Sequence, residues 1–195
     1  QLTENHRGFG RAVLGQVVAR DLGFAGGVQA ADIGLANLDK LTDATQEEKS
    51  AWLIEKNEDY LRLISNMNPS EILPGVLSFL EQIKALGYKI ALGSASKNAE
   101  IILDKTGLTP WFDLIIDGNK VSKSKPDPEV FIKGAEGLGI APEACIVFED
   151  AQAGVEAAKA GNMKAIGIGE SETLFLADKI IPNFIGVKAA ELLQF

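Results

Sequence analysis

The chain holds one cysteine, Cys145, and one histidine, His6, among its 195 residues. A lone cysteine excludes an intrachain disulfide. It stands in the apolar run Ala144–Phe148 and reads as a small core residue. A lone histidine leaves multi-imidazole zinc sites short of ligands and argues against His-based triads, although one His can still serve. No stretch is apolar and long enough to span a bilayer, and the first residues carry no signal-peptide pattern. A reducing, cytoplasmic setting and no membrane partner are the expectation. Basic residues are outnumbered, 19 Lys and Arg against 27 Asp and Glu, giving a formal net charge of -8. That balance speaks against a nucleic-acid partner, although a local pair of lysines can still draw an anionic substrate. Also missing is any Asp-x-Asp closing an early hydrophobic strand. What is present is a hydrophobic content of 46%, enough over this length for one good core, or for one core plus a small second domain.

The spacing predicts helix over residues 1–70. Val13, Leu14, Val17, Val18 and Leu22 recur at helical intervals across Arg11–Leu22. A second amphipathic segment runs from Thr45 to Ile64, with Thr45 and Glu48 as a capping box. Trp52, Leu53, Tyr60, Leu61 and Ile64 supply its buried side. Turn residues at Asn68-Pro69-Ser70 and Leu73-Pro74-Gly75 mark a domain boundary. Beyond them helix and strand alternate. Helices are expected over 76–86, 98–106, 128–138 and 153–160, and strands over 89–93, 112–116, 144–148 and 164–168. Short alternation of this kind argues an α/β fold with a parallel sheet covered on both faces. Right-handed crossovers then bring the strand C-terminal ends to one edge.

Chemistry-bearing residues collect at that edge. Ser94-Ala95-Ser96-Lys97-Asn98 follows a strand and precedes a helix, a sound cradle for phosphate. Ser94 is read as the direct contact and Ser96 as the N-cap of the next helix. Lys125 lies in Ser124-Lys125-Pro126, where the proline restricts the backbone that carries it. It can neutralise a phosphate and steady a carboxylate. Asp127, one residue before Pro128, reads as a helix cap, and Asp113 and Asp117 as surface-turn markers. Glu149 and Asp150 end the run Cys145-Ile146-Val147-Phe148 and supply hard oxygen ligands for a divalent cation. Two carboxylates, a lysine and a serine leave a phosphotransfer site without its nucleophile.

These motifs resemble those of the haloacid dehalogenase-like superfamily, and within it the β-phosphoglucomutases and their sugar-phosphate phosphatase relatives. Leu73-Pro74-Gly75 resembles the entry to the first core helix, and Gly93–Asn98 the phosphate-binding second motif. Ser124-Lys125-Pro126 is similar to the lysine-bearing third motif, and Phe148-Glu149-Asp150-Ala151-Gln152-Ala153-Gly154 to the metal-binding fourth. The resemblance implies a Rossmannoid HAD-like core over residues 71–195 and a small α-helical cap over 1–70. It implies Mg²⁺ held by Glu149 and Asp150, with Ser94 and Lys125 acting on the transferring phosphoryl group. Ala95, Ser96, Lys97 and Asn98 would line the substrate. Glu4–Arg11 resembles the cap's substrate loop, which would make Arg7, Gly8 and Arg11 contacts of the distal phosphate. A second alignment puts that loop at Gly27-Val28, where no arginine follows. The implied reaction interconverts β-glucose 1-phosphate and glucose 6-phosphate through a phosphoaspartate and a bisphosphate, in a monomer. The alternatives are a magnesium-dependent phosphatase of a small phosphorylated sugar and a non-catalytic phosphate-binding protein. The family's first motif, Asp-x-Asp on the opening strand, is not found. The expectation is therefore that a leading segment precedes Gln1 and that the core lacks its first strand.

Overall fold

The computed structural model of the chain describes residues 12–15, 45, 47, 54, 58 and 61–195. Strands β1 (Ala12–Gly15), β2 (Lys89–Gly93), β3 (Leu114–Ile116), β4 (Cys145–Glu149), β5 (Lys164–Ile168) and β6 (Lys179–Ile181) form one sheet. Its six strands lie in the order β3-β2-β1-β4-β5-β6. Every neighbouring pair is parallel. Among the described residues from 66 onward, five helices accompany them: α1 (Val76–Ala85), α2 (Ala99–Thr106), α3 (Glu129–Leu138), α4 (Gln152–Ala160) and α5 (Ala189–Leu192).

Alternation along the strands divides the core between the two faces. Cys145 and Val147 of β4 join Phe131 and Ala135 of α3 and Val155 and Ala158 of α4. Ile146 and Phe148 point the other way, among Phe79 and Ile83 of α1, Leu103 of α2 and Ala189 of α5. Phe79, Phe148 and Phe184 meet there with ring centroids 5.2, 5.0 and 5.9 Å apart. Such contacts add roughly 0.5–1.5 kcal/mol per pair beyond the area they bury. Residues 61–65 are helical, and Ile64 and Met67 pack with Leu61 against Ile102 of α2.

The largest departure from the sequence reading is β1. Ala12–Gly15 was expected inside a helix, and the core was expected to lack its opening strand. Instead Ala12–Gly15 pairs with Lys89–Leu92 on one side and with Cys145–Phe148 on the other. Val13 is 5% exposed and sits in the core on the α1 face. An open slot between β2 and β4 would leave unpaired backbone on both, a heavy cost in the interior. A short apolar run with a β-branched residue answers that need, whatever its helical periodicity. The helical unit expected over 1–70 therefore contributes a strand to the core. Elsewhere boundaries shift by a residue or two, and β6 and α5 were not foreseen. The capping box of Thr45 and Glu48 and the packing of Trp52, Leu53 and Tyr60 fall wholly or partly outside the described residues.

Candidate active site

The C-terminal ends of β2 and β4 carry the residues picked out by their position after apolar strands. Ser94 follows β2 and is 3% exposed. Its N–H donates to Ile116 O at 2.9 Å, and its Oγ accepts from Ser96 N at 3.1 Å. The hydroxyl hydrogen is then the part of Ser94 that can donate to an anion. Ser96 Oγ accepts from Asn98 N at 3.2 Å. The helix N-cap position itself is Asn98, not Ser96 as expected, and Asn98 makes no side-chain cap bond. The two serines thus hold the loop's own amides instead of the first turn of α2.

Lys125 reaches this edge from the loop before α3, with its side chain only 9% exposed. Its Nζ donates to Gly93 O at 3.2 Å, pairs with Glu149 Oε1, and stands 4.7 Å from the centroid of the Phe131 ring. A carbonyl, a carboxylate and a ring face therefore fix the ammonium one residue from Ser94. Glu149 is the last residue of β4 and 1% exposed. Burial pushes its carboxyl above the ordinary carboxylate range, and the charge and hydrogen bond of Lys125 pull it back only in part. The first turn of α4 presses on it. A Cβ built on Gly154 would lie 2.7 Å from Glu149 Cγ, so only glycine admits the carboxylate there.

Asp150 follows Glu149 in the chain but is exposed. The two carboxylates thus occupy different environments: one is the lysine's counter-ion and the other opens to solvent. Gln152 Oε1, two residues further, is a buried hard oxygen without a hydrogen-bond partner. Magnesium is commonly held by one or two carboxylates together with waters and substrate phosphate. Asp150 and Gln152 suit that sparse type of site. They do not form a protein cage, and no group of three or more His, Cys, Asp or Glu that could hold a metal occurs among the described residues.

Beside the lysine lies a cavity of about 440 Å³, with Ala95, Lys97, Asn119, Ser122, Ser124 and Lys125 among its walls. Lys123 also borders it, but its Nζ is paired with Asp127 Oδ2 at 3.1 Å. Asp127 Oδ1 accepts from Glu129 N at 3.0 Å, the capping role read from the sequence. Asp113 and Asp117 are more than turn markers. Asp113 Oδ2 accepts from Ile90 N at 2.8 Å and from Lys84 Nζ at 3.0 Å, and Asp117 is 3% exposed. Arg7, Gly8 and Arg11 lie outside the described residues. Ala12, next to Arg11, pairs with the first residues of β2 and β4, at the edge opposite Ser94. Phe131 was not singled out from the sequence, Gly154 was noted only as the end of the fourth-motif match, and Asn119 was not singled out either. The first two look like packing residues in a helix, and Asp117-Gly118-Asn119 looks like any polar turn.

The chain matches the haloacid dehalogenase-like hydrolase family over residues 7–162. It belongs to that family. The fold agrees, with a Rossmannoid parallel sheet between helices. The chain is 38% identical over 140 residues to the β-phosphoglucomutase of Bacillus subtilis, a match covering 72% of this chain and 62% of that protein. It is 38% identical over 102 residues to a phosphorylated carbohydrates phosphatase of Thermotoga maritima, covering 50% of this chain and 47% of that protein. The chain thus spans only about half to three fifths of these relatives. The crystal structure of a β-phosphoglucomutase from Clostridium difficile superposes with a TM-score of 0.74 at 37% identity, covering 84% of this chain and 73% of that one. No described helix is long and apolar enough to cross a membrane.

Proposed function

We propose that this edge of the sheet handles the phosphoryl group in a magnesium-dependent phosphotransfer on a small phosphorylated sugar, interconverting β-glucose 1-phosphate and glucose 6-phosphate. The observation that carries the reading is the Lys125 ammonium, fixed by Gly93 O and Glu149 beside the buried Ser94. Lys125 offsets charge on a bound phosphoryl group, and the Ser94 hydroxyl donates to one of its oxygens. The backbone N–H groups of Ala95 and Lys97 and the start of α2 add to the positive field there. Asp150, with Gln152, would hold magnesium, which when bound supplies Lewis-acid neutralisation of the phosphate oxygens. Glu149 keeps Lys125 pointed at this edge. The assignment of Arg7, Gly8 and Arg11 to a distal phosphate rests on the resemblance alone. So does a cytoplasmic monomer as the working form.

By the resemblance the phosphoryl acceptor is an aspartate on the strand between β2 and β4. Here that strand reads Ala12-Val13-Leu14-Gly15, followed by Gln16, and the next aspartate is Asp21. A second reading, phosphatase action on a phosphorylated sugar, draws on the likeness to the T. maritima phosphatase. A product assay separates them. β-Glucose 1-phosphate with magnesium is given to the protein. Glucose 6-phosphate supports the mutase, and steady release of inorganic phosphate supports the phosphatase. Phosphate binding without turnover would leave only a non-catalytic phosphate-binding role.

A further inference from the structure

The loop Ser94–Asn98 is not held by its own serines alone. Three hydrogen bonds tie it to the segment that leaves β3. Ser94 N donates to Ile116 O at 2.9 Å and Gly118 N to Ser96 O at 3.1 Å. Asn119 Nδ2 donates to Lys97 O at 3.0 Å. The same amide nitrogen donates to Asp117 Oδ2 at 2.9 Å, so both of its hydrogens are used. Asp117 Oδ1 accepts from Asn119 N at 3.2 Å. The buried carboxylate therefore sets the Asn119 side chain in one orientation, and that side chain grips the Lys97 carbonyl. Gly118 makes the approach possible. A Cβ there would fall 3.0 Å from Lys97 N and 3.1 Å from Ala95 C.

We propose that the Asp117–Asn119 turn is a positioning element for the anion loop, with Gly118 N holding the Ser96–Lys97 peptide plane and the Asn119 side chain the Lys97–Asn98 plane. The proposal rests on the reading of Ser94–Asn98 as a phosphate cradle and adds what holds it in shape. A loop that binds an anion through backbone N–H groups works only if those groups already point inward, since ordering them on binding would weaken affinity. Gripping the Lys97 carbonyl orients the Lys97–Asn98 peptide plane, and the Asn98 N–H of that plane donates to Ser96 Oγ at 3.2 Å, so the staple and the serine together fix this turn of the loop. Asn119 borders the cavity beside Lys97 and Lys125, so the staple stands at the rim where the anion would enter. It touches the loop, not the anion, and acts through the loop's geometry.

Asn119 is exposed, which makes Asn119→Ala a mild change for folding. Asn119→Asp is nearly isosteric but cannot donate, and it sets a second carboxylate against Asp117. Two quantities are read on each variant and on Ser94→Ala: affinity for inorganic phosphate, and amide hydrogen exchange at Ser96 and Asn98. The expected result is exchange about tenfold faster at those amides in both Asn119 variants, with the melting temperature little changed. Phosphate affinity should fall about fivefold or more, further in Asn119→Asp. If Ser94→Ala weakens phosphate while the Asn119 variants change neither quantity, the proposal is overturned and the phosphate cradle stands. Faster exchange with unchanged phosphate affinity also overturns it. If the unaltered protein does not bind phosphate, or Ser94→Ala has no effect, the cradle reading fails and the proposal falls with it.

Discussion

Replacing Lys125 by methionine keeps the length of the side chain and deletes the charge. Glu149 would then remain under α4 at 1% exposure with no counter-ion. Removing one partner of a buried ion pair costs about 3–5 kcal/mol, because the other charge is left uncompensated. Lys125→Met should lose stability in that range near neutral pH. Phe131 loses its cation and keeps an apolar neighbour, which limits any further loss. The pH dependence has a definite sign. Burial already holds the Glu149 carboxyl above its ordinary value, and removing Lys125 raises it further. A carboxyl whose folded value exceeds the unfolded one costs nothing while protonated and costs more as pH rises through the folded value. The deficit of Lys125→Met should therefore be larger at about pH 8 than at about pH 5.5. Urea denaturation of Lys125→Met, Glu149→Gln and the double variant measures it. The double variant should recover most of the loss, since no buried charge remains. A loss under about 1 kcal/mol at the higher pH, or a double variant no better than Lys125→Met, would refute the reasoning.

Gly154→Ala places a methyl group against the Glu149 side chain and should cost about 1–3 kcal/mol of overpacking. Adding Glu149→Asp, which withdraws the carboxylate by one methylene, should return part of that loss in the same denaturation assay. Asp113 tests the sheet. Burial pushes its carboxyl up, but the Ile90 N–H and Lys84 outweigh that and hold it below the usual range. Its stabilisation is present above the unfolded value and lost as pH falls through the lower folded value. With the side chain 37% exposed, solvent screening limits the cost of Asp113→Asn at neutral pH to about 0.5–1 kcal/mol, vanishing in acid-denaturation curves at low pH. Asp150→Asn should abolish magnesium binding by calorimetry while leaving the melting temperature nearly unchanged, because the residue is exposed.

The core from Val76 to Ile168 was legible because each buried strand is a short apolar run bounded by turn residues, and because Gly107 and Gly139 end α2 and α3 as expected. Ser94, Lys125 and Glu149 were legible for a related reason. Topology sends whatever follows a parallel strand to one edge. The pairing of Lys125 with Glu149 was not, because 24 residues separate them and no local pattern records the contact. β1 was misread since Val13, Leu14, Val17 and Val18 satisfy a helical period equally well. What selects the strand is the gap between β2 and β4, a property of the assembled sheet. β6, the three residues Lys179–Ile181, is too short for any periodicity to show. Asp117 reads as a surface-turn residue in the sequence and is buried in the fold, next to the Gly118 and Asn119 bonds to the loop after β2.

The central claim is that a phosphoryl group is held at this edge between Ser94, Lys125 and a magnesium ion on Asp150. A crystal structure of the protein grown with magnesium and inorganic phosphate tests it most directly. The account expects the phosphate within hydrogen-bond distance of Ser94 Oγ and Lys125 Nζ, with the metal bound to Asp150 and Glu149 still paired to Lys125. Phosphate seated elsewhere, or a metal that displaces Lys125 from Glu149, would contradict it.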